Sequence, residues 1–424
     1  MTSLSEELKA RAAKCTRCGS CLVVCPVTRR LHSEATSSRG KLQMIRALGE
    51  SRLDAGGELS RLVNQCLLCD ACSERCPSGV KTTDLFIMLR HEIGTEVPLP
   101  KLKRLAFTGR TYRRLFDLAM RAGGLFQKVL FRDAGNGQGM EPRLPIPAAG
   151  LDVRRVVPKL GVRPLRSLVP HRDGLGHPRA HVAFFPGCML SYVYPEAGAA
   201  VVETLRANNV RVSMPDDMGC CGTPMLVNGD FDTATLLAER VIKALGERKY
   251  DAIITACPTC GSALRERYEL LPLSSEARRT WEGFRDNVID FSRYLAETGL
   301  HRNMVARERT VTYHDSCHMV RSMKAKAEPR ELLAELPGVE LVEMRDAGSC
   351  CGCGGTFSVE NYELSRRIND DKIRNIIDSG ASTVAMGCPA CMMHIADGLA
   401  RHGAAIRVVH TAQLLAEAYG PPLR

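Results

Sequence analysis

The chain has 424 residues, 45% of them apolar and 25% charged, with 58 Lys and Arg against 47 Asp and Glu and a formal charge of +11. That composition excludes disorder, a collagen-like repeat and a coiled coil, and the length allows about three domains with sizeable cores. The nineteen cysteines are the anomaly: a chain this long needs no disulfide scaffold, and in a reducing cytoplasm so many thiols read as metal ligands.

From the N-terminus, Met1–Ala13 is charged and lacks the apolar stretch and small-residue cleavage site of a secretory leader, so export is not expected. A run of about eighteen apolar residues occurs nowhere, and no membrane-spanning helix is expected. The expected location is the cytoplasm, with peripheral attachment to the cytoplasmic side of the inner membrane as a variant of it.

Cys15, Cys18, Cys21 and Cys25 precede Pro26, and Cys66, Cys69, Cys72 and Cys76 precede Pro77, so C-x2-C-x2-C-x3-C-P occurs twice. This is bacterial ferredoxin spacing, in which three close thiolates wrap one corner of a cubane and the fourth reaches the other cluster. Cys15, Cys18, Cys21 and Cys76 are therefore expected on one 4Fe-4S cluster, and Cys66, Cys69, Cys72 and Cys25 on a second. Two structural zinc sites are the alternative, although zinc knuckles usually come as C-x2-4-C pairs separated by a longer loop. Between the motifs, Leu42, Met44, Ile45 and Leu48 recur at helical spacing within Ser38–Glu50, after an expected Arg39-Gly40 turn. A helical domain is predicted, not a β-rich small ferredoxin.

Residues 101–180 carry seventeen Lys and Arg against five Asp and Glu, while the rest of the chain is about neutral. Within Leu105–Phe131, Leu115, Phe116, Leu118, Met120, Leu125, Phe126, Val129, Leu130 and Phe131 are interleaved with Arg110, Arg113, Arg114, Arg121 and Lys128. A basic amphipathic helix of this kind suits an anionic membrane surface or an acidic partner subunit. The plainer reading is a helix whose apolar face packs between domains. No nucleic-acid-binding motif accompanies the charge, so nucleic acid is not an expected partner. Residues 133–180, with GNGQG, EPRLPIP and GLGHP, read as a linker.

The remaining eleven cysteines repeat. Cys188 is followed after 31 residues by Cys220-Cys221 and after 35 more by Cys257-Pro258-Thr259-Cys260. Cys317 is followed after 32 by Cys350-Cys351 and after 36 more by Cys388-Pro389-Ala390-Cys391. VAFFPGC from Val182 echoes VTYHDSC from Val311, and DMGCCG from Asp217 echoes AGSCCG from Ala347, which indicates an internal duplication. Val182–Phe185, Val210–Met214 and Ala252–Thr255 are predicted strands, separated by helices over Ala197–Asn208 and Thr233–Leu245. Thr310–Tyr313, Val339–Met344 and Thr383–Met386 repeat the strands. A β-α-β-α-β order implies a parallel sheet whose strand carboxyl ends converge on one crevice, where five thiols from three loops should meet. Soft sulfur ligation favours iron-sulfur chemistry or zinc over hard cations, and zinc stays open at one of the two sites.

With two complete Cys-Cys-Gly repeats behind a two-cubane head, the chain resembles the fused D subunit of heterodisulfide reductase and the iron-sulfur subunits of glycolate oxidase and lactate dehydrogenases. The resemblance covers nearly all of the chain. It implies a noncubane four-iron cluster at Cys188, Cys220, Cys221, Cys257 and Cys260, and another at Cys317, Cys350, Cys351, Cys388 and Cys391. Complete C-x2-C pairs lean toward heterodisulfide reductase, whereas CGCGGTFSVE from Cys351 and DSCHMVR from Asp315 are similar to lactate-utilisation proteins. Cys353 departs from the family pattern and reads as a spare ligand, a redox-active thiol or a small buried residue. His314, His318 and His394 lie near the second set, either tuning a cluster or serving as core histidines.

The expected fold is therefore α+β and multidomain. A helical ferredoxin domain over 1–100 would be followed by a basic helix and linker over 101–180, then α/β cysteine-rich domains over 181–300 and 301–424. No Gly-rich dinucleotide fingerprint or P-loop is apparent, so flavin, NAD and ATP are not expected on this chain. The resemblance implies an electron-transfer subunit of a flavin-dependent lactate or glycolate dehydrogenase. It would take electrons from an FAD-binding subunit and pass them to quinone, a membrane cytochrome or another carrier. The alternative is a disulfide-reducing enzyme working at a noncubane cluster.

Overall fold

The computed structural model describes residues 4–134, 139–144, 155–169, 176–301 and 303–420. Of the expected linker, GNGQG lies almost wholly outside them, and EPRLPIP and GLGHP lie partly outside. Among the described residues no helix is long and apolar enough to cross a membrane.

The N-terminal region is helical. Helix α1 (Glu6–Ala13) starts where the Ser5 side chain accepts from the Leu8 amide, with Glu6 and Glu7 complementing the positive end of its dipole. Helix α2 (Ser38–Gly49) is capped by Ser37, whose hydroxyl accepts from the Gly40 amide at 2.9 Å. The expected Arg39-Gly40 turn is thus absent, and both residues belong to the first turn of α2. Gly40 is there because the chain folds back closely, and a Cβ would collide with the Glu34 carbonyl. With α3 (Thr82–Glu92), these helices bury Leu8, Leu42, Ile45, Leu48, Phe86 and Leu89. Each such side chain contributes roughly 1.5–3 kcal/mol of transfer free energy. The segment predicted as one basic helix is two, α4 (Lys101–Gly109) and α5 (Arg113–Leu130).

The first α/β half runs β1 (Ala180–Phe185), α6 (Pro195–Ala207), β2 (Val210–Ser213), α7 (Phe231–Gly246), β3 (Ala252–Thr255), α8 (Pro258–Arg265), β4 (Val288–Asp290) and α9 (Phe291–Thr298). The second runs β5 (Arg309–Tyr313), α10 (Cys317–Arg321), α11 (Glu328–Ala334), β6 (Val339–Leu341), α12 (Tyr362–Asp378), β7 (Thr383–Met386), α13 (Pro389–Arg401), β8 (Arg407–His410) and α14 (Thr411–Ala418). The sheets have the orders β2-β1-β3-β4 and β6-β5-β7-β8, parallel throughout. Each half therefore has four strands, one more than its predicted three. The missed strands β4 and β8 are three and four residues long.

Both faces of each sheet are covered, as parallel sheets require. Along β1, Val182 and Phe184 enter one apolar layer and Ala183 and Phe185 the other. The layer holding Val182 and Phe184 also holds Val311, Tyr313 and Ala385 of the second half. Helices pair across it reciprocally, α6 on α14 and α9 on α11. The helix after the first strand of each half thus meets the helix after the last strand of the other.

Candidate metal centres

In the helical head, the Cys21 thiol faces Cys15 and Cys18, and Cys72 faces Cys66 and Cys25, so Cys25 of the first motif joins cysteines of the second. The loops bearing Cys15 and Cys76 meet through the hydroxyls of Thr16 and Ser78 at 3.3 Å. Burial pushes the Cys72 thiol up to about 12, whereas hydrogen bonds from Ser20 hold the exposed Cys18 thiol below its usual value.

The five thiols of each repeat converge. In the first half the sulfurs form one run, Cys188 with Cys220, Cys220 with Cys221, Cys221 with Cys260 and Cys260 with Cys257. In the second half Cys317, Cys350, Cys351, Cys391 and Cys388 repeat the run, with Cys351 and Cys391 sulfurs 3.3 Å apart. Neighbouring S–H donors hold Cys221 and Cys351 well below the ordinary thiol range. Local geometry explains the motifs. The glycine of each Cys-Cys-Gly stands at positive φ, 77° at Gly222 and 89° at Gly352. A Cβ at these positions would stand 3.0 Å from the Ala234 carbonyl or 2.7 Å from that of Ser365. Cys257 and Cys388 are the N-caps of α8 and α13, each followed by proline at the first helical position. Both therefore sit at positive helix ends, and hydrogen bonding from Cys391 lowers the Cys388 thiol to about 7.

Two buried lysines escaped sequence reasoning. Lys41, 2% exposed, donates to the carbonyls of Thr36 and Gln65 at 2.9 and 2.8 Å and faces Cys66, Cys25 and Cys72. Lys372 is fully buried, donates to the carbonyls of Asp346 and Ala347 at 2.6 and 3.0 Å, and faces Cys351 and Cys350. Burial pushes both ammonium groups down, Lys372 to about 8, and the neighbouring sulfurs oppose that shift. Neither has a carboxylate in ion-pair contact among the described residues. A buried unpaired ammonium is costly, and an anionic thiolate-metal group beside it removes that cost. The donor set and the buried cations therefore fit iron-sulfur clusters. In sequence, both lysines look like ordinary polar positions of amphipathic helices.

The three histidines separate by environment. His394 contacts the Ser365 hydroxyl at 3.0 Å behind the Cys350-Cys351 loop, a structural role. His318 contacts the Leu68 carbonyl through Nε2 at 3.0 Å and the Thr259 hydroxyl through Nδ1 at 3.3 Å. It thereby joins the head to both halves. His314 is buried and neither ring nitrogen has a hydrogen bond of normal geometry, although the Ala347 backbone lies beside it. Its nitrogen lies within 4.8 Å of the Cys351 and Cys391 sulfurs. Cys353 is buried among Met344, Ile373 and Met386, with its thiol facing Cys351 and Cys388.

The head also touches the second site directly. Cys69 faces Cys350 and Cys317, and Arg321 of α10 donates to the Cys69 carbonyl at 3.1 Å. Arg267 clamps Asp70, the next residue, at 2.5 Å. A cavity of about 430 Å³ reaches Cys350 between Arg29 and Arg30 of the head and Arg345 and Arg374 of the second half.

Comparison with known proteins agrees with this arrangement. Residues 11–80 match the 4Fe-4S dicluster domain, and residues 182–265 and 311–396 each match the cysteine-rich domain. The probable glycolate oxidase iron-sulfur subunit of Bacillus subtilis is 30% identical over 99% of this chain and 98% of its own length. The chain belongs to the glycolate oxidase iron-sulfur subunit family. Similar at 29% identity, over 96% of this chain and 72% of the relative, is the B subunit of the fumarate reductase (CoM/CoB) of Methanothermobacter marburgensis. Lactate utilization protein A 2 of Bacillus cereus is 31% identical over 56% of this chain and 98% of its own length. As a member of this family the chain is an iron-sulfur subunit carrying 4Fe-4S clusters, and it works with a partner subunit.

Proposed function

We propose that this chain carries electrons from an FAD-binding 2-hydroxyacid dehydrogenase subunit, oxidising lactate or glycolate, toward quinone, a cytochrome or another carrier. The observation that carries the reading is the placement of four cysteine groups in one continuous body, with Cys69 facing Cys317 and Cys350. Iron-sulfur clusters, when bound, supply one-electron storage, which splits the two-electron chemistry of a flavin.

The chain's own residues do the rest. Cys15, Cys18, Cys21 and Cys76 hold the first cubane, and Cys66, Cys69, Cys72 and Cys25 hold the second. The two five-thiol sets hold noncubane clusters, with zinc as the competing occupant of one of them. Lys41 and Lys372 offset the negative charge that accumulates beside them. Arg321, Arg267 and His318 clamp the Leu68–Asp70 loop against both halves, fixing the distance between Cys69 and the second site.

Anaerobically prepared protein should hold roughly sixteen irons, and lactate or glycolate should reduce them when the flavoprotein is added. Failure of both acids to reduce the filled protein rejects the reading. A second reading, reduction of a disulfide at a five-thiol site, is favoured by the completeness of both sets. Turnover of a heterodisulfide without flavoprotein would establish it instead.

A further inference from the structure

The geometry points to a bilayer-docking role for α5, which seats this chain flat on an anionic lipid surface. Leu115, Leu118, Leu125, Phe126 and Val129 fall within an arc of about 100° at 3.6 residues per turn and therefore share one face of the helix. In a helix packed between domains that face would be the buried one. Here all five are exposed, Phe126 at 67% and Val129 at 69%, so packing between domains is not how this face is used.

The opposite, less apolar side is the one fixed to the protein. Gln127 exchanges hydrogen bonds with the Leu160 backbone at 2.9 and 3.1 Å, and Gly124 packs against Gly161 and Val162. Phe116 meets the Tyr192 ring edge-on at 5.4 Å, and the Tyr192 hydroxyl donates to Asp117. The acid of α5 is thereby turned inward, and the outward face carries none.

Arg114, Arg121 and Lys128 are seven residues apart, and so form one row along the margin of the apolar face. All three are exposed and carry no ion pair among the described residues. An apolar strip about 21 Å long, edged by long cationic side chains, has the form of a helix lying in the boundary between headgroups and acyl chains. The seventeen cations against five acids over residues 101–180 supply attraction to anionic headgroups. Leu102 and Leu105 of α4, also exposed, stand beside Lys101 and Arg104 and extend the same chemistry.

The location gives docking a consequence. Arg110, Arg113 and Phe116, at the start of this segment, line a cleft that reaches Cys188 and Cys220. A bilayer on the outer face of α5 would lie about one helix diameter, ~10 Å, from that opening.

The test is flotation of the full-length, cluster-loaded protein with vesicles of phosphatidylcholine alone or with about 30% phosphatidylglycerol. Anionic vesicles should carry it at least ~tenfold better than neutral ones, less so in high salt. Leu118→Asp with Phe126→Asp, and separately Arg114→Glu with Arg121→Glu and Lys128→Glu, should each abolish flotation while the iron-sulfur absorbance is unchanged. Val129→Trp should blue-shift its emission only with anionic vesicles, a check that does not depend on the charge-reversed variants folding. Equal failure on both vesicle types overturns the proposal. So does a face whose variants instead release a protein subunit from the wild-type complex while vesicle binding persists.

Discussion

The two five-thiol sites share their sulfurs and differ in almost everything behind them. Where the first half places Phe185 the second places His314, where the first has Thr223 the second has Cys353, and Lys372 falls opposite the apolar pair Val241 and Ile242. Among the described residues the first site has the Thr223 hydroxyl and the Tyr268 phenol beside its sulfurs, and meets cations at its cleft, from Arg110, Arg113 and Arg240. At the second, a cation, an imidazole and an additional thiol stand inside. Duplication preserved the geometry that gathers sulfur, and divergence changed the field around it. A reducible centre beside a buried cation is easier to reduce than one without such a cation. Under the proposed relay, the second site, which also faces Cys69, would be the better electron acceptor from the head.

The strongest way to break this comparison is to remove one site at a time. Cys220→Ser and Cys350→Ser should each lower iron content by roughly four of about sixteen, and each should erase a different paramagnetic signal. Loss of all signals together from either variant would mean that the sites are not independent. Next in size is Lys372→Met, which should weaken metal retention at the second site by roughly tenfold or more and leave the first intact, read by timed chelation. Lys41→Met should do the same for the cubane at Cys66, with both five-thiol sites unchanged.

A smaller effect separates the halves by pH. The helices after the last strands are capped by different buried groups, Asp290 for α9 and His410 for α14. Burial pushes Asp290 up to about 7, so its stabilising contribution is complete below the ordinary carboxylate value and is lost as pH rises through about 7. His410 is pushed down to about 4 by burial, with Nδ1 accepting from Ala412 and Nε2 donating to the Ala256 carbonyl. Its contribution is present above about 6.5 and is lost as pH falls toward about 4. Urea unfolding between pH 5 and 8 should show Asp290→Asn removing a loss at the alkaline end and His410→Asn removing one at the acid end. Each is on the order of 3 kcal/mol at most, and identical slopes in both variants would refute the assignment. The smallest expected effect is spectroscopic. His314→Phe, which installs the first-half residue, should remove a nitrogen hyperfine coupling from the second-site signal without changing its iron content. A wild-type signal that lacks nitrogen coupling would exclude His314 as a ligand.

Much of this molecule is legible in one dimension because its chemistry is written in local spacings. The cysteine motifs stand out by their spacing, and Thr383–Met386 and Ala252–Thr255 coincide with their predicted strands. The strands β4 and β8 are no shorter than β6 and β7, but no cysteine group follows them, so the spacing that marks the other strands does not point to these two. Lys41 and Lys372 are illegible for a different reason: a lysine in a helix reads as solvated, and only tertiary packing brings sulfur to it. The direction of α5 is open in sequence for the same cause, since an apolar stripe has the same pattern whether it meets a core or a lipid. In Arg39-Gly40 a glycine that permits close approach of two backbones looks like a turn.

The reciprocal pairing of α6 with α14 and of α9 with α11 bears on how such a chain arose. A lone repeat would expose Val182 and Phe184, or their counterparts Val311 and Tyr313, to water. The ancestral single copy would therefore have lived as a twofold dimer, each protomer lending a helix to the other. Joining the two genes freed the copies from symmetry, and from then on one metal pocket could acquire a lysine and an imidazole without imposing them on its twin.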